Sequence, residues 1–475
     1  MGRARAIPAL AAAALLAGCA TYVDETGGLR ADWRSGNLKA AAQKAAELSA
    51  EAEGSGDELV FLLESGAVSR AAADFGQSRK SFDRAEQIMA ERDARGGAGA
   101  GDEIAAILAN QSYLPYSGYN YDRIMAAAYQ AMNLIELKEF EAAEVWLKKL
   151  ENFQADAGAK NAARIDAEMR AIQKAQAEGG KRKYDVSRTL ADAGVRGALS
   201  QYYGADFLAP DAAVRARAVY ANPFAYWLSG LYFSNRPADA SDKSRAADFF
   251  RLANQSLPGG NYVAASDAAR AEALADGRAA AMGDFTYAIF EAGCAPLRRQ
   301  FRVDLPLYIF ADALPHVGVN FPYLAPADSG VRPPAFSGGG KTAKFAKIAD
   351  MDEIVSREFR DGLPVVVARS ILSAAVKAGA QFAAQYAVRD NSAALLLVAI
   401  AGSAYQAATN DADLRSWTTL PKAVYLAKLP TPRDGIVEIG GRKVSVDTSG
   451  VNVIVAKQIS SASPLFVRKF NFEEK

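Results

Sequence analysis

Asn222-Pro223-Phe224-Ala225-Tyr226-Trp227-Leu228-Ser229-Gly230, followed downstream by Ala246, Phe250, Ala253 and Pro258, is the stretch on which the fold turns. Asn222 reads as an N-cap, and Pro223 sits in the first turn, where its missing N–H costs nothing. The spacing predicts a helix from there, a loop over Asn235 to Asp242, and a second helix ended by Pro258. Small residues on both helices let the backbones approach, and one large aromatic fills the groove between them. Such a unit is an antiparallel helical hairpin.

The same grammar recurs upstream. Leu62, Gly66, Phe82 and Ala85 repeat the aromatic-to-alanine spacing, with a shorter loop than the first unit between glycine and aromatic. Lys138-Glu139-Phe140-Glu141-Ala142-Ala143 with Leu147 and Leu150 follows a helix over Tyr121 to Leu137. Gly36-Asn37-Leu38-Lys39-Ala40-Ala41 with Leu48 gives a weaker fourth unit. These offsets resemble degenerate tetratricopeptide repeats, which implies an array of helical hairpins offering a concave surface to a partner.

Near Phe285 the texture changes. Phe285 to Phe290 and Phe301 to Phe310 read as strands, and the Pro/Gly-rich stretch from Asp328 to Lys341 as a loop. Asp350 with Glu353 forms a capping box for a helix to Arg360. Pro364 is expected to start a second, longer helix with an apolar stripe of Val365, Ala368, Leu372, Ala375, Val376, Phe382, Ala383 and Tyr386. Arg369, Ser373 and Lys377 would form its solvated face. Ala393 to Ala401 reads as a buried helix. Beyond Lys422 five strands are expected: Val424 to Leu429, Ile436 to Ile439, Lys443 to Asp447, Val451 to Lys457 and Leu465 to Phe470. Gly440-Gly441 marks a hairpin between two of them. The expected fold class is α+β: a tetratricopeptide-like helical array over 29–280, then a mixed α/β domain over 281–475.

The N-terminus carries a different kind of signal. Arg3 and Arg5 precede an apolar run from Ile7 to Leu16, then Leu16-Ala17-Gly18-Cys19. The run is too short to span a bilayer and has the layout of an export signal. The tetrapeptide resembles the lipobox of bacterial lipoproteins. That resemblance implies removal of residues 1–18, acylation of Cys19 and a lipidated tether over 19–28. More than one acyl chain gives stable membrane attachment. Ala20, in place of the Asp that often retains such proteins at the inner membrane, implies the periplasmic leaflet of the outer membrane.

Counting removes much chemistry. The 475 residues hold 55 Lys plus Arg against 54 Asp plus Glu, a net charge of +1, so no global field favours nucleic acid. One His, His316, and two Cys exclude multi-His and Cys-based zinc sites. With Cys19 acylated, Cys294 stands alone and reads as a small buried residue. Ser337-Gly338-Gly339-Gly340-Lys341-Thr342 lacks the spacing of a phosphate-binding loop and reads as a flexible loop, so no nucleotide is expected. Asp350, Asp352 and Glu353 read as helix-capping acids. No cofactor, metal or catalytic residue is assigned.

Two segments stand out as candidate interaction sites. Asp413, Arg415 and Trp417 lie in Asp411-Ala412-Asp413-Leu414-Arg415-Ser416-Trp417-Thr418-Thr419-Leu420-Pro421. This reads either as a recognition loop, since Trp and Arg favour interface hot spots, or as a structural corner with Arg415 paired to Asp413 or a carbonyl and Trp417 capping the core. Tyr113 and Tyr116, with Tyr119 and Tyr121, form an aromatic loop suited to glycan or peptide, or to packing. Lipobox, repeat-like helices and the Asp-Leu-Arg-Ser-Trp-Thr-Thr-Leu-Pro segment together resemble a poorly characterised family of bacterial envelope lipoproteins, often encoded beside small lipoproteins of the penicillin-binding-protein activator type. The resemblance implies a non-enzymatic scaffold in cell-envelope assembly, attached to the membrane by its lipid and to an envelope protein partner. Its alternatives are a glycan-binding or glycan-cleaving module and an accessory part of an export machinery.

Overall fold

The computed structural model describes residues 22–95, 114–178, 186–208, 220–306, 316–327, 330–389 and 411–473. All but one of the described helices precede the strands, giving the expected α+β class. The helical part runs α1 (Tyr22–Glu25), α2 (Gly27–Ser35), α3 (Leu38–Glu51), α4 (Glu58–Ala71), α5 (Phe75–Arg95), α6 (Asn120–Glu136), α7 (Phe140–Glu178), α8 (Val186–Ala191), α9 (Ala193–Tyr203), α10 (Pro223–Asn235), α11 (Ala240–Gln255) and α12 (Tyr262–Ala275). Helices α2/α3, α4/α5, α6/α7 and α10/α11 pack as consecutive pairs. Asn222 caps α10, its side chain accepting from the Phe224 amide at 3.0 Å, with Pro223 in the first turn. Gly36 turns the first pair in the left-handed region at φ 79°.

Two glycines show why the repeat-like spacing works. A Cβ on Gly66 would lie 2.6 Å from the Phe82 ring, and one on Gly230 would lie 2.8 Å from the Phe250 ring. In both pairs the aromatic of the second helix rests on the bare backbone of the first.

The C-terminal part contains β1 (Phe285–Ala292), β2 (Leu297–Pro306), β3 (His316–Ala325), β4 (Phe336–Gly338), β5 (Lys341–Ala343), β6 (Ala346–Asp350), α13 (Met351–Ala387), β7 (Ala423–Pro430), β8 (Ile436–Ile439), β9 (Arg442–Ser445), β10 (Val451–Gln458) and β11 (Phe466–Asn471). A mixed five-stranded sheet has the order β11-β10-β1-β7-β6, with β1 and β10 parallel and the other pairs antiparallel. Its two faces are both covered. Tyr287, Ile289, Val424, Leu426, Val453, Val455 and Phe470 face the helices in one continuous core. Ala288, Phe290, Ala427, Leu429, Ile454 and Ala456 face Phe336, Val437 and Ile439 of a four-stranded sheet, β5-β4-β8-β9. Strands β1 and β10 are therefore apolar on both sides, as doubly covered strands must be.

Burial locates the join. Every residue of α4 from Glu58 to Arg70 is buried, as is every residue of α6 from Ile124 to Ile135. Helix α10 is buried from Pro223 to Ser234 except at Tyr226. These are the first helices of their hairpins, in the array expected as a whole to offer a concave surface to a partner. The chain's own sheet and the segment before β7 cover them instead. The core also crosses the boundary near residue 281, so helices and sheet share one interior.

Several local expectations are corrected. The second strand starts four residues earlier than expected, and β3, β4, β5 and β6 lie where the sequence reading places no strand. The Gly-rich stretch is a tight hairpin in which Gly338 pairs with Lys341, and Gly339 and Gly340 adopt φ 55° and 74°. Pro364 lies inside one continuous helix, α13. The single hydrogen bond it removes is outweighed by burial of Leu363, Val365, Val367, Ile371 and Leu372 against β2, β3 and neighbouring helices. The supposed solvated face of α13 is largely covered: Ser373 and Lys377 are buried, and burial lowers the Lys377 pKa to about 8. Tyr386, placed in the apolar stripe, is 68 % exposed. By length and composition α13 is apolar enough to cross a membrane, although 61 % of its most apolar window is buried within the protein. The tether expected over 19–28 is folded from Tyr22 onward, in α1 and α2. The expected helix over Ala393 to Ala401 lies outside the described residues.

Candidate functional site

A dense set of polar contacts lies in the segment Asp411–Pro421, which leads into β7 and bonds to both β2–β3 and the helical part. Its start is tied to the antiparallel β2–β3 pair: the Asp411 carboxylate accepts from Gln300 at 3.1 Å and Asn320 at 2.8 Å. Arg415, only 3 % exposed, donates to Asp413 through Nε and Nη2, both at 2.8 Å. Its Nη1 donates to Asp57 at 2.6 Å and to the Leu114 carbonyl at 2.7 Å. The planar guanidinium suits this geometry, with one edge on a carboxylate and the other joining Asp57, just before α4, to Leu114, ahead of α6.

Trp417 is 1 % exposed. Its ring packs against Phe82 and Tyr129, with centroids at 5.8 and 6.1 Å, and its indole N–H donates to the Thr419 hydroxyl at 3.0 Å. Asp413, Arg415 and Trp417 therefore form an internal corner. The recognition-loop reading falls, because a partner cannot reach a buried Trp.

Glu64 of α4 completes the joint. One carboxylate oxygen accepts the Thr418 amide at 2.5 Å and hydroxyl at 2.6 Å, and the other accepts the Thr419 amide at 3.1 Å and hydroxyl at 2.6 Å. The Tyr22 hydroxyl lies 2.9 Å from Glu64 and 2.8 Å from the Ser416 carbonyl. Burial pushes the Glu64 carboxyl upward, while the Thr418 and Thr419 donors pull it back. Asp267 of α12 does the same work further along. It accepts from Trp227 of α10 at 2.9 Å, Tyr287 of β1 at 2.7 Å and Lys428 of β7 at 2.6 Å. Glu136 at the end of α6 joins Arg70 of α4 at 2.8 Å to Arg468 of β11 at 3.0 Å. Three buried carboxylates thus bind helices to the sheet or to the segment before it. Sequence reading missed all three, because their partners lie far away in the chain.

The tyrosine cluster is also internal. Tyr116 is 3 % exposed and donates to Asp122 at 2.6 Å. Asp122 also accepts the Tyr119 amide at 2.9 Å, capping α6. Its pKa is raised to about 7, first by burial, with the Tyr116 hydrogen bond opposing the shift. The Tyr119 and Tyr121 rings stack at 5.3 Å, and the Arg298 guanidinium lies 4.5 Å from the Tyr119 ring centre. Glu358 of α13 accepts from the Asn120 amide and side chain, both at 3.0 Å. Packing accounts for Tyr116; Tyr113 lies outside the described residues.

Cys294 is buried, 3.8 Å from the Ile459 carbonyl. Among the described residues, no group of three or more His, Cys, Asp or Glu is arranged to hold a metal ion. Comparison with known proteins finds no matching family, curated protein or solved structure.

Proposed function

We propose that this protein is a lipid-anchored envelope lipoprotein, held through Cys19 in the periplasmic leaflet of the outer membrane, that acts as a non-enzymatic scaffold for another envelope protein. The observation that carries the non-enzymatic reading is the use made of the buried carboxylates. Glu64, Asp267 and Glu136 each bridge helices to the sheet or to the segment before it, an arrangement suited to rigidity rather than to turnover. Since α4, α6 and α10 are covered, a partner meets the outer, second helices of their hairpins. Val145 on α7 and Leu252 on α11 are large apolar side chains exposed there, at 55 % and 41 %.

The test is site-specific photocrosslinking in cells. A crosslinker at Val145 or Leu252 is expected to capture one reproducible envelope protein, and one at buried Trp417 none. Wall-glycan cleavage by the purified protein, abolished by a single Asp or Glu substitution, would replace the scaffold reading with an enzymatic one.

A further inference from the structure

The described structure starts at Tyr22, three positions after Cys19. Tyr22 is 7 % exposed, its ring 5.4 Å from that of Phe61 and its hydroxyl in contact with Glu64 and Ser416. The next turn is fixed as well: the Thr26 amide and hydroxyl both bond to the Tyr22 carbonyl, at 3.0 and 2.6 Å. Arg30 holds the Val23 carbonyl at 2.5 Å. Only Ala20 and Thr21 separate Cys19 from Tyr22. Three residue steps of even fully extended chain span about 11 Å.

From this spacing we infer that the bilayer surface is itself a docking partner: the α1 end of the body is seated against the lipid headgroups in one fixed orientation, with no free-swinging linker. The inference rests on the anchoring reading above. If acyl chains on Cys19 are buried in the bilayer, Tyr22 lies within that reach of the headgroups. Because Tyr22 is locked to Glu64 and Ser416, the helix–sheet joint is held close to the membrane with it. Asp24 and Glu25, both exposed on α1, lie at this end of the molecule.

The experiment uses the full-length protein purified from membranes and reconstituted into phosphatidylcholine vesicles whose lipids carry nitroxide headgroups, which quench only at short range. A fluorophore is placed at the exposed position Asp24→Cys; buried Cys294 stays unlabelled. Mass spectrometry first reports whether residue 19 is acylated. With acylation present, the native spacing is expected to give strong quenching. Inserting twenty Gly/Ser residues between Ala20 and Thr21 adds a coil of roughly 25 Å and should reduce the quenching several-fold. Weak quenching with the native spacing, or equal quenching with and without the spacer, overturns the seating while leaving the anchor standing. An unacylated residue 19 overturns the anchoring reading, and the seating with it.

Discussion

Glu64 and Thr418 are 354 positions apart in sequence, yet one Glu64 oxygen accepts both the amide and the hydroxyl of Thr418, at 2.5 and 2.6 Å. With the matching pair from Thr419 on the other oxygen, a single carboxylate stitches α4 to the segment that leads into β7. A buried charge is tolerable only when its lone pairs are filled in this way.

Glu64→Gln replaces one acceptor oxygen with an NH2 group facing two donors. It is expected to destabilise the protein by about 3 kcal/mol, since donors are left unsatisfied in the interior. Urea denaturation should show a lower midpoint with an unchanged slope.

Asp122 should make stability fall with rising pH. Its folded pKa is about 7, above the ordinary value of 3.8, so between those values the folded state binds more protons than the unfolded one. The stabilising contribution is complete below about pH 4 and lost as pH rises through 7. Asp122→Asn preserves an acceptor for Tyr116 and Tyr119 and removes the charge. It should flatten this part of the pH–stability curve and raise stability above pH 7 by up to roughly 4 kcal/mol. Denaturation midpoints at pH 5, 6, 7 and 8 for both proteins check this.

Gly66→Ala adds a methyl 2.6 Å from the Phe82 ring. The strain, about 1–3 kcal/mol, should exceed the gain of roughly 1 kcal/mol in helix propensity. Phe82→Leu in the Gly66→Ala background should cost less than in the native background. The pairwise term from a double-mutant cycle reads the contact. Gly230 and Phe250 should behave alike.

Residues 19–280 produced alone should fail to form a native core, because α4, α6 and α10 would expose their inward sides. Far-ultraviolet circular dichroism is expected to show helix, with the near-ultraviolet signal weak. Mixing with residues 281–475 should restore the latter.

The hairpins were legible because close helix contact imposes a local rule: Gly66 and Gly230 must be small where Phe82 and Phe250 are large. The five strands after Lys422 were legible from their β-branched runs. Strands β4 and β5 were not, being three residues each with a glycine turn between them. Pro364 misled because its local cost is outweighed by packing from distant elements. Arg415 and Trp417 have the same chemistry at an interface as inside a joint, and composition does not separate the two. Glu64 left one faint trace, a charge within the apolar run Leu59 to Leu63 and Ala67-Val68, but nothing local pointed to Thr418.

The central claim is that helices and sheet form one body, with the inward side of the array filled by the chain itself. Native-state hydrogen exchange across a series of denaturant concentrations tests it most directly. The account predicts that the slowest amides of α4, α6 and α10 and of strands β1 and β10 exchange through one common opening of equal free energy. Strands that open at markedly lower free energy while the three helices stay protected would contradict it.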